Sequence, residues 1–288
     1  MGPLAQNNAW FPFANNDKSG RMAHSPERQA RTATKNAAVI YEQPLSERLR
    51  TFLRLEFLYR QLRYHLDQSS SWDSRAAITS MLDIIAILTR GDVRSDVMKE
   101  LERQVQLMDR LQNRPQVDER RLSGLLRNLQ THRQDLAALG PQYLQPLRES
   151  EFLSSVKHRS AIPGGTCEFD LPDYTHWLRQ PFEQRQADVQ KWMGGLRPLC
   201  EGVAELLWIM RAGGDSQPRL ASNGVYQHNL GREGPNNLLR VTLPATAGVY
   251  PEISASHHRF SVRFMRWSDV TSRAIQVEDD VAFNLQVC

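Results

Sequence analysis

Through the long middle of the chain an apolar residue returns every three to four positions, and in the last quarter apolar and polar residues alternate. The first pattern predicts amphipathic helices and the second predicts strands. Ser46 is placed to cap a helix reaching Leu66, with Leu45, Leu49, Phe52, Leu53, Phe57 and Leu58 on its apolar stripe. Asp73 or Ser74 caps a second helix, Arg75 to Thr89, whose buried face is Ile78, Met81, Leu82, Ile85 and Leu88. Asp92 or Ser95 opens a third, through Leu111; Pro115 marks a loop, and Asp118 opens a fourth that Gly140-Pro141 closes. Tyr143–His158, Tyr174–Leu178, Phe182–Met193 and Leu196–Arg211 complete the helices, the last being the most apolar. Beyond Gly213-Gly214, alternation at Val225, Leu239–Leu243, Phe260–Phe264 and Val281–Val287 reads as an antiparallel sheet, broken at Asn236-Asn237 and Pro251. Val39–Glu42, ahead of Pro44, reads as a short edge strand or an extended anchor.

One stretch interrupts the helices. In Ile162–Pro172 the backbone is punctuated by Pro163, Gly164 and Gly165; Thr166, Cys167, Phe169 and Leu171 then suit a strand that Pro172 stops. A lone strand cannot satisfy its own backbone groups, so this one is expected to join the C-terminal sheet. The expected fold class is α+β: a mainly helical domain packed on a smaller antiparallel β-sheet domain, the sheet completed by a strand near 165–171. The expected division is a disordered extension at 1–38, a helical domain at 39–159 and 173–213, and a β-domain at 160–172 and 214–288. Within the extension, Trp10-Phe11-Pro12-Phe13 is either a docking segment or part of a plain tail.

Composition narrows the functional classes. No apolar run approaches the length of a membrane span, and no apolar segment near the N-terminus suggests a secretory signal. Three cysteines, Cys167, Cys200 and Cys288, form no CxxC pair and point to a reducing compartment. The net charge of +4 is concentrated: residues 1–38 carry Lys18, Arg21, Arg28, Arg31 and Lys35 against Asp17 and Glu27. The body is therefore close to neutral, and any cationic patch on it is local. No phosphate-binding loop, dinucleotide fingerprint, zinc-protease motif or nucleophile elbow occurs, and no cofactor or metal is expected. His257-His258 point to opposite faces of a strand and make a poor chelate. His176, just after a helix-starting Asp173, suits capping or packing, and Cys167 suits a core. Arginine is what remains. Arg48, Arg50, Arg54, Arg60 and Arg63 share the first helix, either as a cationic stripe or as a solvated face; Arg90 ends the second; Arg240 lies on a strand, and Arg259 and Arg263 share a strand face about 13 Å apart. Guanidinium forks suit carboxylates or phosphates.

Ile162-Pro-Gly-Gly with Cys167-Glu-Phe-Asp-Leu-Pro172 resembles the hallmark of the ZapD family of cell division proteins. Glu42–Leu58, Arg90-Gly-Asp-Val-Arg94 with Leu101-Glu-Arg103, Ser222–Gln227, Tyr250–Ser254 and Arg259–Met265 are similar to further segments of that family, in the same order from about Val39 to Cys288. The resemblance implies a non-enzymatic cytoplasmic homodimer found at midcell with the division ring. It implies binding to the C-terminal tail of FtsZ and cross-linking of its filaments, in support of septum formation. On matching positions it implies tail contacts from Arg54, Arg90, Arg259 and Arg263, to which Arg240 and His176 are added as candidates. Two positions depart from the family pattern: Thr175 stands where a histidine is expected, and Glu151 lies near an expected basic position. The alternative is a nucleic-acid-binding module built on the first-helix arginines and the basic N-terminal segment; the near-neutral body favours a protein partner and no nucleic acid.

Overall fold

The computed structural model describes residues 37–112, 118–230, 238–256 and 259–288. Trp10–Phe13, Pro115, Asn236-Asn237 and His257-His258 lie outside them. The described residues open with strand β1 (Ala38–Pro44) and then run through α1 (Glu47–Leu66), α2 (Ser71–Thr89), α3 (Val93–Asp109), α4 (Glu119–Ala138), α5 (Gln145–Arg148), α6 (Glu151–Ser160), α7 (Pro172–Leu178), α8 (Phe182–Met193) and α9 (Arg197–Gly213). Strands β2 (Ser216–Ala221), β3 (Val225–Asn229), β4 (Leu238–Pro244), β5 (Tyr250–Ala255), β6 (Arg259–Arg266), β7 (Ile275–Gln276) and β8 (Val281–Val287) follow. The fold is α+β, as the residue pattern predicts.

Side-chain caps fix the helix starts. Ser46 Oγ accepts from Leu49 N, Ser70 Oγ from Asp73 N, Asp92 from Ser95 N, and Asp118 from the amides of Arg120 and Arg121. The second helix thus begins earlier than Asp73 or Ser74 would allow, and Trp72 falls in its first turn. Expected helix Tyr143–His158 is two, α5 and α6, because Ser150 caps a fresh start by accepting from Leu153 N. Helix α9 is the hub: it packs on α1, α3 and α4, and Leu199, Val203, Leu206 and Leu207 are all fully buried. Burying each such side chain contributes about 1.5–3 kcal/mol. The core thiol of Cys200 is pushed up to about 12 by burial first and by Glu201 second, which leaves it protonated and inert.

The strands form two antiparallel sheets, β1-β4-β8-β2 and β3-β6-β5, with β7 extending the β6 ladder. Their inner faces make a second core: Leu239, Val241, Leu243, Phe283 and Leu285 from the first sheet meet Phe260, Val262 and Phe264 from the second. Leu238, one residue before Leu239, points the other way and joins the helical core. The first sheet is therefore a middle layer, with helices on one face and the second sheet on the other. Strand β2 carries Pro218 and little apolar character, so it leaves no alternation to read; it survives as an edge strand.

The strand expected near 165–171 is absent. Residues 161–170 form consecutive turns, with Gly165 N donating to Ile162 O and Leu171 N to Cys167 O. Pro172 does not stop a strand; it stands in the first turn of α7, where its missing N–H costs nothing. Leu171 anchors the loop in the helical core, Arg75 donates to Thr166 O at 3.0 Å, and Phe169 stands 85% exposed. Cys167 is half-buried in the loop, with its thiol against Asp170. The strand that completes the first sheet from the N-terminal side is instead β1, pairing with β4 from Ala38↔Pro244 to Pro44↔Leu238.

Where the helical layer meets the middle sheet, charged groups form one connected network. Glu42 on β1, Arg240 on β4 and Gln286 on β8 are cross-strand neighbours in one row. From α9, Arg211 grips Glu42 at 2.7 and 2.8 Å and Glu56 of α1 at 2.6 and 2.7 Å. Arg240 donates to Glu42 at 2.9 Å and to Gln286 at 2.7 Å, and Gln286 donates back to Arg211 O and Gly214 O. Burial alone would raise the Glu42 carboxyl, but the hydrogen bonds and charges of Arg211 and Arg240 outweigh it and hold Glu42 below its ordinary value.

Candidate functional site

Helices α1 and α2 pair as a hairpin, and the first half of α1 lies along the second half of α2. Between them, where β1 ends at Pro44, runs a groove of about 560 Å³. Leu53, Phe57 and Leu58 of α1 and Ile87 of α2 supply its apolar lining. Phe57 falls one step off the buried stripe of Phe52, Leu55, Tyr59 and Leu62, so it is 65% exposed rather than core, as periodicity alone would place it. Three arginines line the groove. Arg50 pairs with Glu47 at 3.2 Å, one turn away. Arg54 and Arg90 are exposed and have no carboxylate partner among the described residues. Asp83 stands at the same groove, also without a partner among the described residues, and burial pushes its carboxyl above the ordinary value. An apolar floor with unneutralised guanidinium groups is a surface for an acidic chain that carries an apolar side chain.

The other arginines of α1 are not a continuous stripe. Arg48 reaches back to Glu100 of α3 at 3.2 Å, a buried carboxylate also held by Arg103 and Gln104.

Arg54 and Arg90 are brought together; the remaining candidates are elsewhere. Arg259 and Arg263 share the outer face of β6, opposite Phe260, Val262 and Phe264, and so face away from the middle sheet and the helices. Arg263 stands 3.7 Å from Glu252 on β5, while Arg259 has no side-chain partner among the described residues. Farther along this face Trp267 packs on Tyr250 with the rings tilted at 58° and their centroids 5.5 Å apart. Arg240 is in the interior network, its side chain 17% exposed and both ends of its guanidinium occupied. His176 is exposed on α7 with its ring 3.0 Å from the Gln180 amide. Helix α7 sits by Arg75, whose guanidinium lies 4.8 Å from the Tyr174 ring; Arg90 is roughly 22 Å farther along α2 at the usual helical rise. Thr175, where the family pattern has histidine, keeps a buried hydroxyl with no hydrogen-bond partner among the described residues. Among the described residues no three His, Cys, Asp or Glu side chains are grouped to hold a metal ion, and no helix is long and apolar enough to cross a membrane.

Sequence reasoning found Arg54 and Arg90 but not Asp83, Ile87 or the outward turn of Phe57. The available signal for Phe57 was its offset from the strongest stripe of α1.

A helical layer on a two-sheet β-domain thus bears an open groove lined by three arginines. Residues 53–263 match the sequence model of ZapD, described as a cell division protein. The chain is 36% identical over 250 residues to a cell division protein ZapD of Methylococcus capsulatus, spanning 87% of this chain and 98% of that one. It is 35% identical over 250 residues to one from Aromatoleum aromaticum, with 87% and 97% covered, and 38% identical over 252 residues to one from Ralstonia nicotianae, with 87% and 99% covered. The chain belongs to the ZapD family, which supports a role in cell division; its relatives are named as cell division proteins, not as enzymes.

Proposed function

We propose that this protein binds the C-terminal tail of FtsZ and cross-links FtsZ filaments as a homodimer, in the cytoplasm at the division ring. The observation that carries this reading is the α1–α2 groove, where Arg54 and Arg90 stand unneutralised over an apolar floor in a chain of the ZapD family. Arg259 and Arg263, on the far face of the second sheet, form a separate cationic surface for the same acidic partner. Arg240 is left to the interior network, and His176 to the opposite end of α2. A two-fold dimer carries each surface twice, and two sites on one rigid body bridge two filaments. Tails displayed along a polymer raise the effective concentration at the second site, so modest single-site affinity suffices. Guanidinium–carboxylate docking on an exposed surface weakens as salt rises.

The test is co-sedimentation with filaments of full-length and tail-deleted FtsZ. Pelleting with the former and not the latter is expected; equal pelleting with both rules out tail docking. Light scattering coupled to gel filtration reads the dimer directly.

A further inference from the structure

A second cleft, of about 810 Å³, lies on the other side of the last turn of α2. Leu88, Thr89, Gly91 and Asp92 form one wall, and Pro141–Leu144 with Arg148 form the other. Only the chain from Thr89 to Gly91 separates it from the groove that holds Arg90. Most of its charged groups are already committed. Arg94 donates to Leu136 O at 3.1 and 3.3 Å, Asp92 accepts from Ser95 N at 3.1 Å, and Glu149 accepts from the Gln145 amide at 2.5 Å. Arg148 is exposed and has no side-chain partner among the described residues. At the crossing point is Gly91, where an added Cβ would meet nothing within 4 Å. The space beside Gly91 on the ridge between the two clefts is thus open.

We propose that both clefts form one track for a single peptide segment. The α1–α2 groove takes an apolar side chain with an acidic neighbour at Arg54 and Arg90. The segment then crosses Gly91 and sets a second acidic group against Arg148. Charge complementarity names the occupant: among the described residues the two clefts are lined by Arg50, Arg54, Arg90, Arg94 and Arg148 against Asp83, Asp92 and Glu149, so the path is cationic on balance, and Arg54, Arg90 and Arg148 along it have no carboxylate partner. This inference rests on the tail-docking reading and assigns Arg148 and Gly91 parts in it.

Fluorescence anisotropy of a labelled FtsZ tail peptide on the full chain tests the track. Arg148→Glu is expected to weaken binding about tenfold or more, as Arg90→Glu does. Gly91→Trp, which puts bulk into open space on the ridge, is expected to do the same while circular dichroism melts stay unchanged. Peptides with acidic residues replaced by lysine on one flank or the other then separate the halves: one flank rescues Arg90→Glu, and only the other rescues Arg148→Glu. If Arg148→Glu and Gly91→Trp bind like the unaltered protein while Arg90→Glu does not, the single-cleft groove stands and the track falls. Rescue of both charge reversals by the same flank also overturns it. An unaltered protein that binds no tail peptide overturns the partner reading itself, and the track with it.

Discussion

Phe57 and Gly165 show how differently single residues act in this fold. Phe57 is mostly exposed, so shortening it removes little buried contact and Phe57→Ala is expected to shift stability by no more than about 0.5 kcal/mol. If the groove is the docking site, the same change lowers tail affinity severalfold, since an apolar anchor in a groove is where binding energy concentrates. Unfolding curves and anisotropy on one preparation check both halves of that expectation. Gly165 is the reverse case. A Cβ there would run into the Arg159 carbonyl and lie 2.8 Å from Ile162 Cβ. The first belongs to the last turn of α6 and the second to a loop already held by Arg75, by Arg159 to Asp170 at 3.4 Å, and by Arg179 to Glu168. Gly165→Ala is therefore expected to cost about 1–3 kcal/mol, read as a lower denaturant midpoint, although residue 165 is far from the groove.

At the scale of elements, the junction of α9, α1 and the middle sheet rests on Arg211. Removing it strands Glu42 and Glu56 together, about one-fifth exposed or less, with Arg240 still paired to Glu42. Arg211→Leu is expected to destabilise by about 3 kcal/mol, the low end for breaking a buried pair, because water still reaches part of the site. The pH dependence has a definite sign. The folded-state value of Glu42 lies below 4.5, its ordinary value, so its contribution is complete above 4.5 and is lost as pH falls through the folded-state value. Denaturation midpoints are expected to drop with acid below about pH 4.5, less steeply in Glu42→Gln, where no carboxylate remains to be protonated. None of this network was readable beforehand. Arg240 was visible as a strand arginine, but its partners are 46 to 198 residues distant. Helices were legible because caps and a 3.6-residue stripe are local signals. The loop at 161–170 was misread because alternating Cys167, Phe169 and Leu171 mimic a strand, while the facts that decide the matter are tertiary: Leu171 buried, Phe169 outside. Of the candidate site, the arginines were legible as a residue type, and their grouping was not.

For the whole molecule, the arginines fall on two surfaces separated by the middle sheet, and that separation predicts how variants combine. Arg54→Glu with Arg90→Glu alters only the helical layer; Arg259→Glu with Arg263→Glu alters only the outer sheet. Each pair is expected to reduce filament bundling with the dimer intact, and the two losses in tail-binding free energy should add, because the sites share no contacts. Bundling that survives the β6 pair unchanged would remove the outer sheet from the docking surface. The middle sheet has one more consequence. Its first strand precedes every helix among the described residues, yet its immediate neighbour β4 and the strand beyond, β8, are made only after those helices. As the chain leaves the ribosome, the helices can assemble while β1 waits for the strand it pairs with. Assembly of the layer that joins the two halves is thus timed by synthesis, and the nascent protein is most vulnerable to mispairing just before its last strands emerge.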